Sequence, residues 1–102
     1  DHAWVLSGEK DGDLTRAARL KDPETGRVMT ISTNQPAIQF YGGNFLDGTV
    51  TGKGEVVYEH RTALCLETEN YPDAPNNPDA PSAVLQPGET YYHKMVHAFS
   101  AE

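Results

Sequence analysis

No stretch of this chain sustains the spacing of apolar positions that an amphipathic helix needs. Short runs rich in β-branched and aromatic residues recur instead, separated by Gly, Pro, Asn and Asp. That punctuation limits every element to strand length and predicts an all-β, antiparallel fold. Strands are expected near residues 3–6, 14–21, 27–33, 36–41, 55–58, 62–69 and 91–99, with no internal repeat. In Lys21-Asp22-Pro23-Glu24-Thr25-Gly26-Arg27, Pro23 presets φ and Gly26 can take the left-handed conformation that closes a short hairpin loop. Strands 14–21 and 27–33 should therefore pair antiparallel. Residues 70–90 carry Pro72, Pro75, Pro78, Pro81 and Pro87, too many interruptions for a sheet interior, so this stretch should be extended and irregular.

A chain of 102 residues with a hydrophobic fraction of 37% can bury only a modest core. Its apolar runs are far too short to cross a bilayer as a helix, which argues against a membrane role. Fifteen acidic against eight basic side chains give a net charge of −7, and the basic residues are scattered. This argues against nucleic acid as a partner and favours a neutral ligand. The single Cys65 excludes an internal disulfide or a thiolate-rich zinc site. It is compatible with a reducing compartment such as the cytoplasm and leaves export open. No leader precedes Asp1 in the sequence, so any targeting segment is expected to lie outside it.

Within Thr62-Ala63-Leu64-Cys65-Leu66-Glu67-Thr68-Glu69, period-2 alternation sends Leu64 and Leu66 to one face, expected to be core. Ala63, Cys65, Glu67 and Glu69 go to the other. Small residues leading into two carboxylates suit a cavity that needs an ionised base, although such carboxylates on an arbitrary strand more often simply face water. Their Cα atoms should lie about 6.5–7 Å apart, which approaches the spacing of an inverting glycosidase pair. In Pro36-Ala37-Ile38-Gln39-Phe40-Tyr41-Gly42-Gly43, Ile38 and Phe40 share one face and Gln39 and Tyr41 the other. An amide and a phenol side by side suit sugar hydroxyls, with a plain polar outer face the commoner explanation.

His93 and His97 would sit about 13 Å apart along a strand, and no metal site is expected. His93, Met95, His97 and Phe99 should share a face of the last strand, with a hydrogen-bonded or solvent-facing role for the histidines. Cys65 reads as a small buried hydrophobe rather than a nucleophile.

Taken in order, Asp1-His2-Ala3-Trp4-Val5-Leu6, Asp22-Pro23-Glu24-Thr25-Gly26-Arg27, Gln39-Phe40-Tyr41-Gly42-Gly43-Asn44-Phe45-Leu46-Asp47-Gly48 and Cys65-Leu66-Glu67-Thr68-Glu69 resemble the C-terminal portion of the aldose 1-epimerases of the galactose mutarotase type. Pro72-Asp73-Ala74-Pro75-Asn76 and Leu85-Gln86-Pro87-Gly88-Glu89-Thr90-Tyr91 continue the likeness, which covers nearly the whole chain. Each motif is weak alone; the ordered set is specific.

The resemblance implies a galactose mutarotase-like β-sandwich (supersandwich), residues 1–102 being the C-terminal portion of a single such domain. It implies an enzyme that interconverts the α and β anomers of free hexoses such as galactose and glucose, with Glu67 as general base and Asp1 and Gln39 as sugar-binding residues, and without cofactor or metal. In that family the acid is a histidine upstream of the segment present here. The expected partners are accordingly a monosaccharide and the N-terminal portion of the same enzyme, and the isolated chain should be inactive. Two departures stand out: Glu69 occupies a position where the family usually has glutamine, and Trp4 one where phenylalanine is common. Two other readings remain open at this point. One is a glycoside hydrolase using Glu67 and Glu69; the other is a non-catalytic carbohydrate-binding domain of the same fold.

Overall fold

The structure is a computed structural model that describes residues 1–102. Its seven strands are β1 (His2–Val5), β2 (Lys10–Asp11), β3 (Leu14–Lys21), β4 (Arg27–Thr33), β5 (Ala37–Tyr41), β6 (Cys65–Glu69) and β7 (Met95–Ala101). They form two sheets, one of three strands in the order β1-β5-β6 and one of four in the order β2-β3-β4-β7, with every pairing antiparallel. The all-β antiparallel expectation holds. No helix of the chain is long and apolar enough to cross a membrane.

The hairpin between β3 and β4 forms where its turn residues place it. Asp22 N–H donates to the Arg27 carbonyl at 2.9 Å, and Gly26 adopts φ 72° while its N–H donates back to the Asp22 carbonyl. The Asp22 carboxylate also accepts from the Glu24 N–H and the Thr25 hydroxyl. The Thr25 contact in particular holds that carboxyl below its ordinary value.

Three expectations need correction. Residues 55–58 form no strand: a 3-10 turn spans Lys53–Glu55, and only an isolated bridge joins Thr51 to Val57. The cause is Gly54 at φ 68° followed by Glu55 at φ 60°, a left-handed step that breaks an extended run. The last strand begins at Met95, so His93 lies ahead of it, and the short β2 was missed because two residues carry no periodicity. Cys65 is exposed, not buried, because the face it occupies is uncovered. Residues 70–90 are irregular as expected, with one 3-10 turn at Ala74–Asn76.

The core is small. Nine residues are buried, among them Val28, Ile31, Thr33, Ala37, Ile38 and Thr68. Thr68 on β6 reaches across to the other sheet's terminal segment, with its hydroxyl 2.8 Å from His93 Nε2 and 3.1 Å from Met95 Sδ. Elsewhere the inner surfaces stand open. Trp4, Phe40 and Leu66 line a concavity of about 540 Å³ with Ala17 and Ala18 of β3, and Trp4 and Phe99 remain 61% and 75% exposed. The radius of gyration, 16.5 Å, exceeds the ~13 Å of a compact chain of this length. The two sheets are thus the walls of a sandwich whose filling is incomplete within these residues.

Candidate functional site

Register decides which side chains meet. Across β5 and β6, Gln39 pairs with Glu67, Tyr41 with Cys65 and Ala37 with Glu69, while Ile38 pairs with Thr68 and Phe40 with Leu66. Directly opposed residues of an antiparallel pair project to the same face. One face of this sheet is therefore apolar and turned to the interior, through Trp4, Ile38, Phe40 and Leu66. The other carries Gln39, Tyr41, Cys65, Glu67 and Glu69. On the far side of β5, Ala3 of β1 opposes Gln39. Asp1, two residues earlier on the same alternation, falls on the polar face as well.

The three sequence-derived candidates thus come together on one face of the three-stranded sheet. Gln39 sits in the middle strand, with Glu67 beside it on β6 and Asp1 at the start of β1. With neighbouring strands about 4.8 Å apart, the outer two of these three strands stand about 10 Å apart. Small side chains, Ala3, Ala37 and Cys65, lie between the polar ones and leave a shallow floor. Asp1 and Glu67 are exposed and Gln39 is half-buried. No concavity of the chain is lined by any of the three, and the largest belongs to the opposite, apolar face. Within these residues the site is an open wall.

Glu69 is half-buried on this same face, and its Oε1 is enclosed without a hydrogen-bond partner. Burial, and then the charge of Glu67, push its carboxyl above the ordinary carboxylate value. Glu67 thus has an acidic neighbour two positions away whose proton is held more tightly than in an ordinary carboxyl.

Motif reading passed over one hydrogen-bonded chain. Asn44 Nδ2 donates to Asp1 Oδ1 at 2.8 Å, and Asn44 Oδ1 accepts from Arg61 Nε at 3.0 Å. The only sequence signal was Asn44 standing inside the Gln39–Gly48 motif, which said nothing of its partners. Three of the four histidines do not join the polar face, and the fourth, His60, lies in the loop before β6, next to Arg61. His2 opposes Phe40 on the other face, His93 bonds Thr68 and Tyr91, and His97 lies in the other sheet opposite Ile31.

A family model described as aldose 1-epimerase matches residues 1–98. The galactose mutarotases of Mus musculus and Homo sapiens are 45% and 46% identical to the chain over 100 residues, covering 98% of it and 29% of each relative. An aldose 1-epimerase of Escherichia coli (strain K12) is 38% identical over 104 residues, covering all of the chain and 30% of the relative. The chain spans less than a third of the length of these curated relatives. Nothing in these matches supports the glycoside hydrolase reading.

Proposed function

This chain belongs to the aldose 1-epimerase family, and on that premise we propose that the full protein is a mutarotase that interconverts the α and β anomers of free hexoses such as galactose and glucose. Residues 1–102 are then the C-terminal portion of its β-sandwich. The observation that carries the reading is the pairing of Gln39 with Glu67, flanked by Asp1, on the polar face of a sheet whose other face is apolar.

In this reading Glu67 is the general base. Its carboxylate takes the proton from the anomeric O1 hydroxyl while an acid delivers a proton to the ring oxygen, and the C1–O5 bond breaks. Rotation about C1–C2 and the reverse proton transfers close the ring in the other anomeric configuration. Each such transfer is worth about 10² to 10⁴ in rate. The Gln39 amide donates to and accepts from sugar hydroxyls, and the Asp1 carboxylate accepts from them. Neither step needs a metal or cofactor. The histidines carried by β1, β7 and the segment before β7 do not share the face of Glu67, which fits an acid supplied by the rest of the protein. That remainder would also cover the apolar surface around Trp4, Phe40 and Phe99 and turn the open wall into a cleft.

Polarimetry of the full-length protein tests this. Freshly dissolved α-D-galactose or α-D-glucose should reach its equilibrium rotation far faster with enzyme than without. Sugar binding with no acceleration would instead mark a non-catalytic carbohydrate-binding protein, and release of reducing sugar from a glycoside would mark a hydrolase.

A further inference from the structure

Asp1 precedes the first strand and has no regular partner of its own, yet its Oδ1 is fixed by a side-chain relay drawn from two other segments. Asn44 lies just beyond β5, in the turn that begins at Gly42-Gly43, and Arg61 lies in the loop that leads to β6. The amide of Asn44 bridges them, with Nδ2 donating to Asp1 and Oδ1 accepting from Arg61. Both partners agree on that orientation. A flipped amide would set its oxygen against a carboxylate and its NH₂ against the Arg61 N–H, so the donor-to-acceptor direction runs one way, from Arg61 through Asn44 to Asp1.

The backbone is shaped to make the bridge. Gly43 adopts φ 74°, and a Cβ there would lie 3.4 Å from both the Ala63 carbonyl oxygen and the Arg61 nitrogen. The Gly43 carbonyl accepts from the Arg61 N–H. Arg61 itself holds φ 58°, a left-handed conformation that costs a non-glycine residue free energy, and its Nε reaches Asn44. Asp1 Oδ2 takes no protein hydrogen bond, so the relay leaves one carboxylate oxygen to accept from a ligand while fixing the other.

We propose that Asn44 and Arg61 are positioning residues for the sugar-binding Asp1, Asn44 holding its carboxylate and Arg61 holding Asn44. The inference rests on the mutarotase reading, in which Asp1 accepts from a sugar hydroxyl. A guanidinium polarising the amide strengthens the Nδ2 donor, and the relay fixes the Asp1 rotamer before substrate arrives, which lowers the ordering cost of binding. Because Asp1 binds sugar and Glu67 does the chemistry, loss of the relay should weaken binding and spare the proton transfer.

The test is steady-state mutarotation kinetics on the full-length protein carrying Asn44→Ala, Arg61→Ala, Asp1→Ala and the Asn44→Ala/Asp1→Ala double substitution. Asn44→Ala should raise KM about fivefold, the loss of roughly one hydrogen bond, with kcat within about twofold of wild type. Arg61→Ala should move KM in the same direction by about twofold. In the Asp1→Ala background, Asn44→Ala should add nothing, whereas a merely structural role would persist there. If Asn44→Ala lowers the urea midpoint, Arg61→Ala, which leaves Asn44 in place, carries the test by the same split of KM from kcat. Wild-type KM in Asn44→Ala alongside an impaired Asp1→Ala would overturn the relay alone. Wild-type KM in Asp1→Ala would overturn the sugar-binding role of Asp1 and the relay with it.

Discussion

Glu69 is a second carboxylate on the face of Glu67, and the consequence follows from its surroundings. Its Oε1 is enclosed without a partner, and burial and the Glu67 charge raise its folded-state proton affinity above the ordinary carboxylate value of 4.5. The other titratable groups that share that face through the β5–β6 pairing are Tyr41, Cys65 and Glu67, none of them cationic. A raised folded value means that the folded state holds the proton more tightly than the unfolded chain. The associated stability is fully present below about pH 4.5 and is lost as pH rises through the folded-state value. Glu69→Gln should therefore be more stable than wild type at pH 7, with the gap closing at pH 4. Urea midpoints at the two pH values measure it, and a gap of equal size at both would contradict the assignment. The identities of Glu67, Gln39 and Asp1 as candidates were legible in alternation and motif order. Their meeting was not, because it depends on the register of β5 against β6 and against β1, which local sequence does not encode. Asn44 and Arg61 were illegible for a related reason: hydrogen bonds spanning 43 and 17 residues leave no periodic trace.

At the scale of the element, the β3–β4 hairpin was readable because its turn chemistry is local. Asp22, Thr25 and Gly26 close the loop by bonds to one another and to Arg27. Gly26 is also boxed in by the chain end: a Cβ would fall 2.4 Å from the Glu102 carbonyl oxygen, and the Glu102 N–H donates to the Gly26 carbonyl. Gly26→Ala should lower stability by at least about 1 kcal/mol in urea unfolding, from the strained φ and the displaced terminus together. Behind the hairpin, Ile31 is 1% exposed at the centre of β4, flanked by Ala18 and His97. Ile31→Ala should cost about 2–5 kcal/mol in the full-length protein, since three packed strands cannot close around the cavity. An effect under about 1 kcal/mol in the same assay would show that β4 is not the centre of the core. The 55–58 run misled because Val56, Val57 and Tyr58 have strand-like side chains. The left-handed Gly54–Glu55 step before them is a backbone property that composition does not display.

Across the whole molecule, the two sheets expose on their inner surfaces what a sandwich normally hides. Trp4, Phe40 and Phe99 are open to solvent, and the chain covers less than a third of the length of its relatives. Residues 1–102 alone should bind the apolar dye ANS strongly, whereas the full-length protein should bind it weakly; equal fluorescence would mean that these faces stay open in both. The polar face is equally incomplete, a wall that carries Asp1, Gln39 and Glu67 and that, in the proposed mutarotase, becomes a cleft once an acid stands opposite. The most direct measurement is the mutarotation rate of the full-length Glu67→Gln variant, followed by polarimetry beside wild type with unfolding midpoints as the control. The rate should fall by at least about a hundredfold with folding nearly unchanged. A correctly folded Glu67→Gln protein turning over at the wild-type rate would contradict the assignment of Glu67 as the base.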